Sequence, residues 1–239
     1  MKETESIRVC GVKRGYPSGG GIFWALGGVD LEIEPGKLTI LRGRSGSGKT
    51  TLVNIIGALD RPTEGSVWVG QRDITAMGDG ERDALRRRSI GFVFQSVALV
   101  SMMNAYENVE FGLRVAGIPS SEFAGRTEEC LRLVGLAQRS RHMPAELSGG
   151  EQQRVAIARA IAHRPSTIIA DEPTAELDTR TGLMVGKIFR DLVELEGMTV
   201  VMSTHDTGLL ELADKVYELE DGMLVGTRAG EEDAADDRV

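Results

Sequence analysis

The stretch LTILRGRSGSGKTTLVNIIGAL, residues 38–59, decides how the chain must fold. Leu38–Arg42 is a short apolar run of the buried-strand type, TTLVNIIGAL has the apolar spacing of a helix, and GRSGSGKT (43–50) joins them. The joint fits the pattern GxxxxGK[ST] through Gly43, Gly48, Lys49 and Thr50. Glycines there let successive backbone N–H groups turn inward around phosphate oxygens, the helix N-terminus adds a positive field, and the lysine supplies a mobile charge. The Thr50 hydroxyl is suited to ligating Mg²⁺. Gly43, Arg44, Ser45, Gly46, Ser47, Gly48, Lys49, Thr50 and Thr51 are therefore the candidate phosphate-binding residues. What gives the pattern its weight is its place between an apolar strand and a helix.

Outward from this unit, IRVCGV (7–12) and VDLEI (29–33) alternate as strands around YPSGGG (16–21), which reads as a loop. On the other side, AYENVEFGLRV, SSEFAGRTEECLRLVGL and GEQQRVAIARAIA carry helical periodicity, so residues about 96–163 read as a helical insert. STIIADEP then returns to a buried strand, RTGLMVGKIFRDLVELE to an amphipathic helix and MTVVMSTHD to another buried strand. The expectation is α/β: a P-loop NTPase core of parallel sheet flanked by helices, an N-terminal antiparallel β subdomain and a helical subdomain insert. Residues 1–229 form one domain in this reading, and the acidic 230–239 is a solvated tail.

Composition narrows the function class. The 239 residues carry a formal net charge of -8, against the basic footprint of a nucleic-acid binder. No run approaches the roughly 18 to 20 apolar residues of a membrane span; FVFQSVALVSMM, from Phe92, is short and broken by Gln and Ser. The first residues, MKETESIRV, have no apolar leader core, and Cys10 and Cys130 lack metal or redox spacing, which fits the cytosol.

Three further stretches carry chemistry. STIIADEPTAELD (166–178) delivers Asp171 to the carboxyl end of a buried strand with Glu172 next to it. Neighbours at a strand end point different ways, so one carboxylate can hold Mg²⁺ through water while the other polarises an attacking water. His205, after VVMST, can reach the same crevice; His142 and His163 read as structural. LSGGEQQR (147–154) places Ser148, Gly149 and Gly150 at a helix N-terminus that suits a terminal phosphate, or equally forms a capping box with Glu151.

In this order and spacing the stretches resemble the nucleotide-binding subunits of ABC transporters, over nearly the whole chain. The resemblance implies that 43–50 is the Walker A loop, Gln95 the Q-loop glutamine, 147–151 the signature, 175–178 the D-loop, and His205 the switch histidine. It implies that Asp171 is the Walker B aspartate and Glu172 the catalytic glutamate. ATP and Mg²⁺ are the implied cofactors, with Thr50, Gln95 and Asp171 on the metal and Lys49, Gln95, Glu172 and His205 in catalysis. Every hydrolytic motif of the family is there, and the signature is implied to close on a second copy's ATP in a head-to-tail dimer. An aromatic that stacks on adenine is implied to be Tyr16, with Phe23 and Trp24 as rivals.

LDRPTEG (59–65), GFVFQ (91–95) and AELSGGEQQRVAIARA look like the lipoprotein-release, macrolide-export and antimicrobial-peptide exporter group. That group implies a four-span permease partner with a large extracytoplasmic domain, and a place on the inner face of the membrane. Control of a cell-wall hydrolase through such a partner, or a soluble non-transport ATPase of the family, are the alternatives. Two departures stand out: Ser101, Met102 and Met103 replace a usual Leu-Pro segment, and Arg44 occupies the phosphate loop, facing nucleotide or solvent. The methionines suit either an adaptable docking surface or core packing.

Overall fold

β1 (Ile7–Ser18) and β2 (Gly21–Ile33) form one long antiparallel hairpin whose turn is Gly19 and Gly20. The computed structural model describes residues 4–229, so the acidic stretch 230–239 lies outside the described residues. A loop over 16–21 is the sequence expectation, yet Tyr16, Pro17, Ser18 and Gly21 are in strand. Both turn glycines take positive φ, 52° and 96°, the handedness that lets two residues connect twisted strands.

β3 (Leu38–Arg42) leads through the glycine loop into α1 (Lys49–Ile56). β4 (Glu64–Val69) and β5 (Arg72–Asp73) then complete an antiparallel sheet in the order β2-β1-β4-β5. After α2 (Asp79–Ser89) and β6 (Ile90–Val93) come three helices: α3 (Ala105–Ala116), α4 (Phe123–Leu133) and α5 (Gly149–Ile161). β7 (Thr167–Asp171), α6 (Thr179–Glu196), β8 (Thr199–Thr204), β9 (Lys215–Glu220) and β10 (Met223–Ala229) follow.

The second sheet has the order β10-β9-β3-β8-β7-β6, parallel except for its β10 edge. The fold is thus α/β with an antiparallel sheet beside a mostly parallel one, as the periodicity implies. The terminal β9–β10 hairpin extends the expected sheet; its Asp221-Gly222 turn, again positive in φ at both residues, is a hairpin signal.

Burial explains the order. Every residue of β8 is buried, which is why it reads as a continuous apolar run with few polar interruptions. α6 lays Val185, Ile188, Phe189, Leu192 and Val193 on this layer at helical spacing. Fully buried Phe189 contributes about 1.5 to 3 kcal/mol by leaving water. On the other side of the sheet, α1 and β3 pack with β1, β2 and β4 in a second core.

Local polar groups hold the helices between β6 and β7. Asn104 caps α3 by accepting the Glu107 amide at 2.9 Å, while Glu107 accepts the Asn104 amide at 2.8 Å. Buried Asn108 accepts the Val100 amide and donates to carbonyls of Val100, Met103 and Asn104, pinning the segment after Gln95. Met102 on that segment is 88% exposed, so core packing is not its role. Arg126 of α4 is buried and donates to Ile161 and Ala162 at 2.7 and 2.9 Å, satisfying carbonyls that end α5.

Candidate functional site

Four neighbouring strands, β3, β8, β7 and β6, end at the same edge of the parallel sheet. Their carboxyl ends carry the loop 43–48, His205, the Asp171–Glu172 pair and Gln95, so residues far apart in sequence share one crevice. Gly48 sits at φ 99° where the loop enters α1, and a Cβ there would lie 2.6 Å from the Ala25 carbonyl oxygen. Both conformation and space demand glycine at that point.

Lys49 is buried against the loop. Its Nζ donates to the Gly43 and Arg44 carbonyls at 2.7 and 3.1 Å and stands 3.3 Å from Glu172 Oε1. Glu172 Oε2 meets His205 Nδ1 at 2.9 Å, so the carboxylate spans the lysine and the histidine. The Glu172 side chain is 14% exposed and the histidine 64%, which puts the carboxylate at the floor of the crevice and the imidazole at its mouth. Glu172 also has φ 46°, an uncommon conformation for a residue with a side chain and one that concentrates at functional sites.

Asp171 turns the other way. Its Oδ1 accepts the Thr50 hydroxyl at 3.0 Å and the Ser203 hydroxyl at 2.5 Å. The Ser203 Oγ in turn accepts the Glu172 amide at 2.9 Å. Adjacent carboxylates thus acquire different surroundings, one hydroxyl-bound and one between a lysine ammonium and an imidazole.

A cavity of about 660 Å³ opens over this floor, walled by the phosphate loop on one side and the β1–β2 hairpin on the other. Tyr16, Arg44, Ser45, Gly46, Gly48, Lys49, Thr50, Thr51, Gln95, Glu172 and His205 all line it. Gly43 and Ser47 instead border a second cavity with Glu218–Asp221, and Arg44 and Ser45 border both. Asp171 reaches the site through Thr50.

At the hairpin, Tyr16 and Phe23 are cross-strand partners and both line the cavity, whereas Trp24, one residue on, does not. The Tyr16 hydroxyl donates to Asp60 at 3.0 Å, and Arg14 lies 4.5 Å over its ring while making a two-pronged pair with Asp60. Tyr16 is therefore held with one ring face already covered. Ala175, the first residue of the implied D-loop, also lines the cavity, as does Ala25, which was not singled out by sequence because a small apolar side chain carries no chemical signal.

Ser148, Gly149 and Gly150 begin α5 away from this cavity. The capping box does form: Ser148 Oγ accepts the Glu151 amide at 3.3 Å and Glu151 accepts the Ser148 amide at 2.9 Å. That amide, with the Ser148 hydroxyl and nearby arginines, holds the Glu151 carboxyl below its usual range against the opposing effect of burial. Ser148 and Gly149 are exposed, whereas a Cβ on Gly150 would collide with Thr181.

A family model described as ABC transporter matches residues 26–175. The macrolide export ATP-binding/permease protein MacB of Agrobacterium fabrum is 46% identical over 219 residues, 92% of this chain and 34% of that protein. The chain thus spans about a third of the length of the macrolide-export relatives it matches. The lipoprotein-releasing system ATP-binding protein LolD of Hyphomonas neptunium is 41% identical over 92% of this chain and 96% of its own. In structure, the dimeric post-hydrolysis state of the ATP-binding cassette MJ0796 bound to ADP and Pi superposes with a TM-score of 0.86 and 39% identity, covering 94% of this chain and 98% of that one.

Proposed function

The chain belongs to the ABC transporter family, and from that premise we propose that residues 1–229 form one ATPase domain that works as a head-to-tail dimer to drive a membrane permease. The observation that carries this reading is the convergence of Lys49, Glu172 and His205 on one cavity beneath the glycine loop.

In this reading ATP lies with its base against Tyr16 and its phosphates along the loop amides and Lys49. Glu172 accepts a proton from the water that attacks the γ-phosphorus, and His205 holds Glu172 by one nitrogen while the ring's other edge meets a γ-phosphate oxygen. ADP leaves with the bond electrons and no covalent intermediate forms; catalysis is positioning and charge stabilisation. Thr50, Gln95 and Asp171 would hold Mg²⁺. Their hydroxyl, amide carbonyl and carboxylate are oxygen donors, which suits a hard cation that keeps waters and phosphate oxygens. When bound, Mg²⁺ neutralises phosphate charge. The second copy contributes Ser148, Gly149 and Gly150 to the exposed side of the nucleotide.

No helix among the described residues is long and apolar enough to cross a membrane. In this reading, which follows the exporter-group resemblance, the chain sits at the inner face of the membrane through its permease, a four-span protein with a large extracytoplasmic domain. The docking place we assign is a groove of about 720 Å³ between β6 and α3. Phe94, Phe111 and Val115 are exposed there beside Arg86 and Arg87, which suits a short amphipathic segment with acidic flanks.

The test is phosphate release by the purified chain and by Glu172→Gln. The variant should bind ATP as the wild type does and turn over about 10²- to 10⁴-fold more slowly, the range for removing a general base. Turnover within a few-fold of wild type would overturn the assignment. Recovery of a four-span permease from detergent-solubilised membranes tests the partner; recovery of only soluble proteins would overturn it.

A further inference from the structure

Ser203 is completely buried in β8, among Val200, Val201 and Met202, and it lies directly opposite Asp171 in the β7–β8 register. A hydroxyl at such a place is destabilising unless both its donor and its acceptor capacity are used. Here both are. The Glu172 amide can only donate, so Ser203 Oγ accepts it at 2.9 Å, and the hydroxyl proton is left for Asp171 Oδ1 at 2.5 Å. The Glu172 amide is also 3.1 Å from the Ser203 carbonyl oxygen, so the same residue holds the one backbone point from which the left-handed Glu172 turns.

We propose that Ser203 is a positioning residue that ties the Asp171 carboxylate and the Glu172 main chain into one unit and thereby sets the affinity of the site for its divalent cation. This rests on the nucleotide-site reading above. Thr50 donates to the same carboxylate oxygen at 3.0 Å. When the Thr50 oxygen turns toward a cation that bond is given up, and Ser203 is the group that keeps Asp171 from swinging after it. The hydroxyl therefore acts through Asp171 and Glu172.

The test is a Mg²⁺ titration of the full chain at saturating ADP, read as the rise in thermal midpoint, for wild type, Ser203→Ala and Ser203→Thr. Phosphate release against Mg²⁺ gives a second readout. Ser203→Ala should need about 3- to 10-fold more Mg²⁺ for half its effect, the range one buried hydrogen bond is worth. ADP binding in EDTA should be unchanged, and Ser203→Thr, which keeps the hydroxyl, should restore the wild-type Mg²⁺ dependence. A merely structural role would lower the thermal midpoint of Ser203→Ala without moving its Mg²⁺ half-saturation, and that result overturns the proposal. A wild type whose midpoint responds to ADP neither with nor without Mg²⁺ would instead overturn the nucleotide-site reading, and the proposal with it.

Discussion

Lys49 Nζ lies 3.3 Å from Glu172 Oε1, so the cation of the phosphate loop and the carboxylate of the neighbouring strand form an ion pair at the floor of the crevice. The pair is nearly out of solvent, with side-chain exposures of 5% and 14%. A charge removed from such a pair leaves its partner buried and uncompensated. Lys49→Ala should therefore weaken ATP by about 10- to 100-fold, or about 1.4 to 2.8 kcal/mol of charge-assisted contact. Titration with a fluorescent ATP analogue measures this, and affinity within twofold of wild type would remove Lys49 from phosphate binding.

Tyr16 and Phe23 compete for the adenine, and their surroundings differ. Arg14 and Asp60 immobilise the Tyr16 ring, whereas Phe23 is 58% exposed. A fixed ring loses less freedom when a base stacks on it. Tyr16→Ala should cost about 1 to 3 kcal/mol in ATP binding, Phe23→Ala less, and Trp24→Ala nothing measurable, as Trp24 lies off the cavity. Nucleotide titrations of the three variants decide it; the largest loss at Phe23 or Trp24 would reassign the stacking residue.

Gln95 was reached only through the family resemblance, whereas the convergence of Lys49, Asp171, Glu172 and His205 was legible because each lies at the end of an apolar strand or glycine loop whose pattern is local. Two kinds of feature were not. The β1–β2 hairpin runs through YPSGGG because its Gly19–Gly20 turn is short and the strand carries register shifts, which blur alternation. Ser203 reads as a polar interruption of an apolar strand until the pairing of β7 with β8 puts it opposite Asp171, and strand pairing leaves no mark in a local pattern. Asp60 belongs with these: its motif marked a subgroup, while its grip on Arg14 and Tyr16 spans more than 40 residues.

Acid should loosen the sheet through Asp214. Burial alone would raise its pKa, but the Leu38 amide, Arg190 and Lys37 together hold it below the usual carboxylate value. A depressed folded pKa gives stability that is full above the unfolded value of about 3.9 and is lost as pH falls through the folded one. Glu129 and Glu151 are shifted in the same direction. Urea midpoints should thus fall below about pH 4 in the wild type. Asp214→Asn should start lower at pH 7 and converge on the wild type in acid; a constant gap between the two would show that this carboxylate's charge is not the cause.

Ser148 separates the two possible meanings of its helix end. As a cap it gives α5 about 1 kcal/mol, a loss that Ser148→Ala and Ser148→Arg share. As half of a shared site it must meet a second copy's nucleotide, and only the arginine variant adds bulk on that exposed face. Both variants should bind ATP like the wild type, because the residue stands away from the chain's own cavity. Ser148→Arg alone should lower turnover by at least about tenfold, or 1.4 kcal/mol in barrier. In a Glu172→Gln background, where slow turnover should let an ATP-dependent dimer accumulate, Ser148→Arg should also abolish that dimer on size exclusion. If both variants hydrolyse equally well, the serine is a cap and the dimer closes elsewhere.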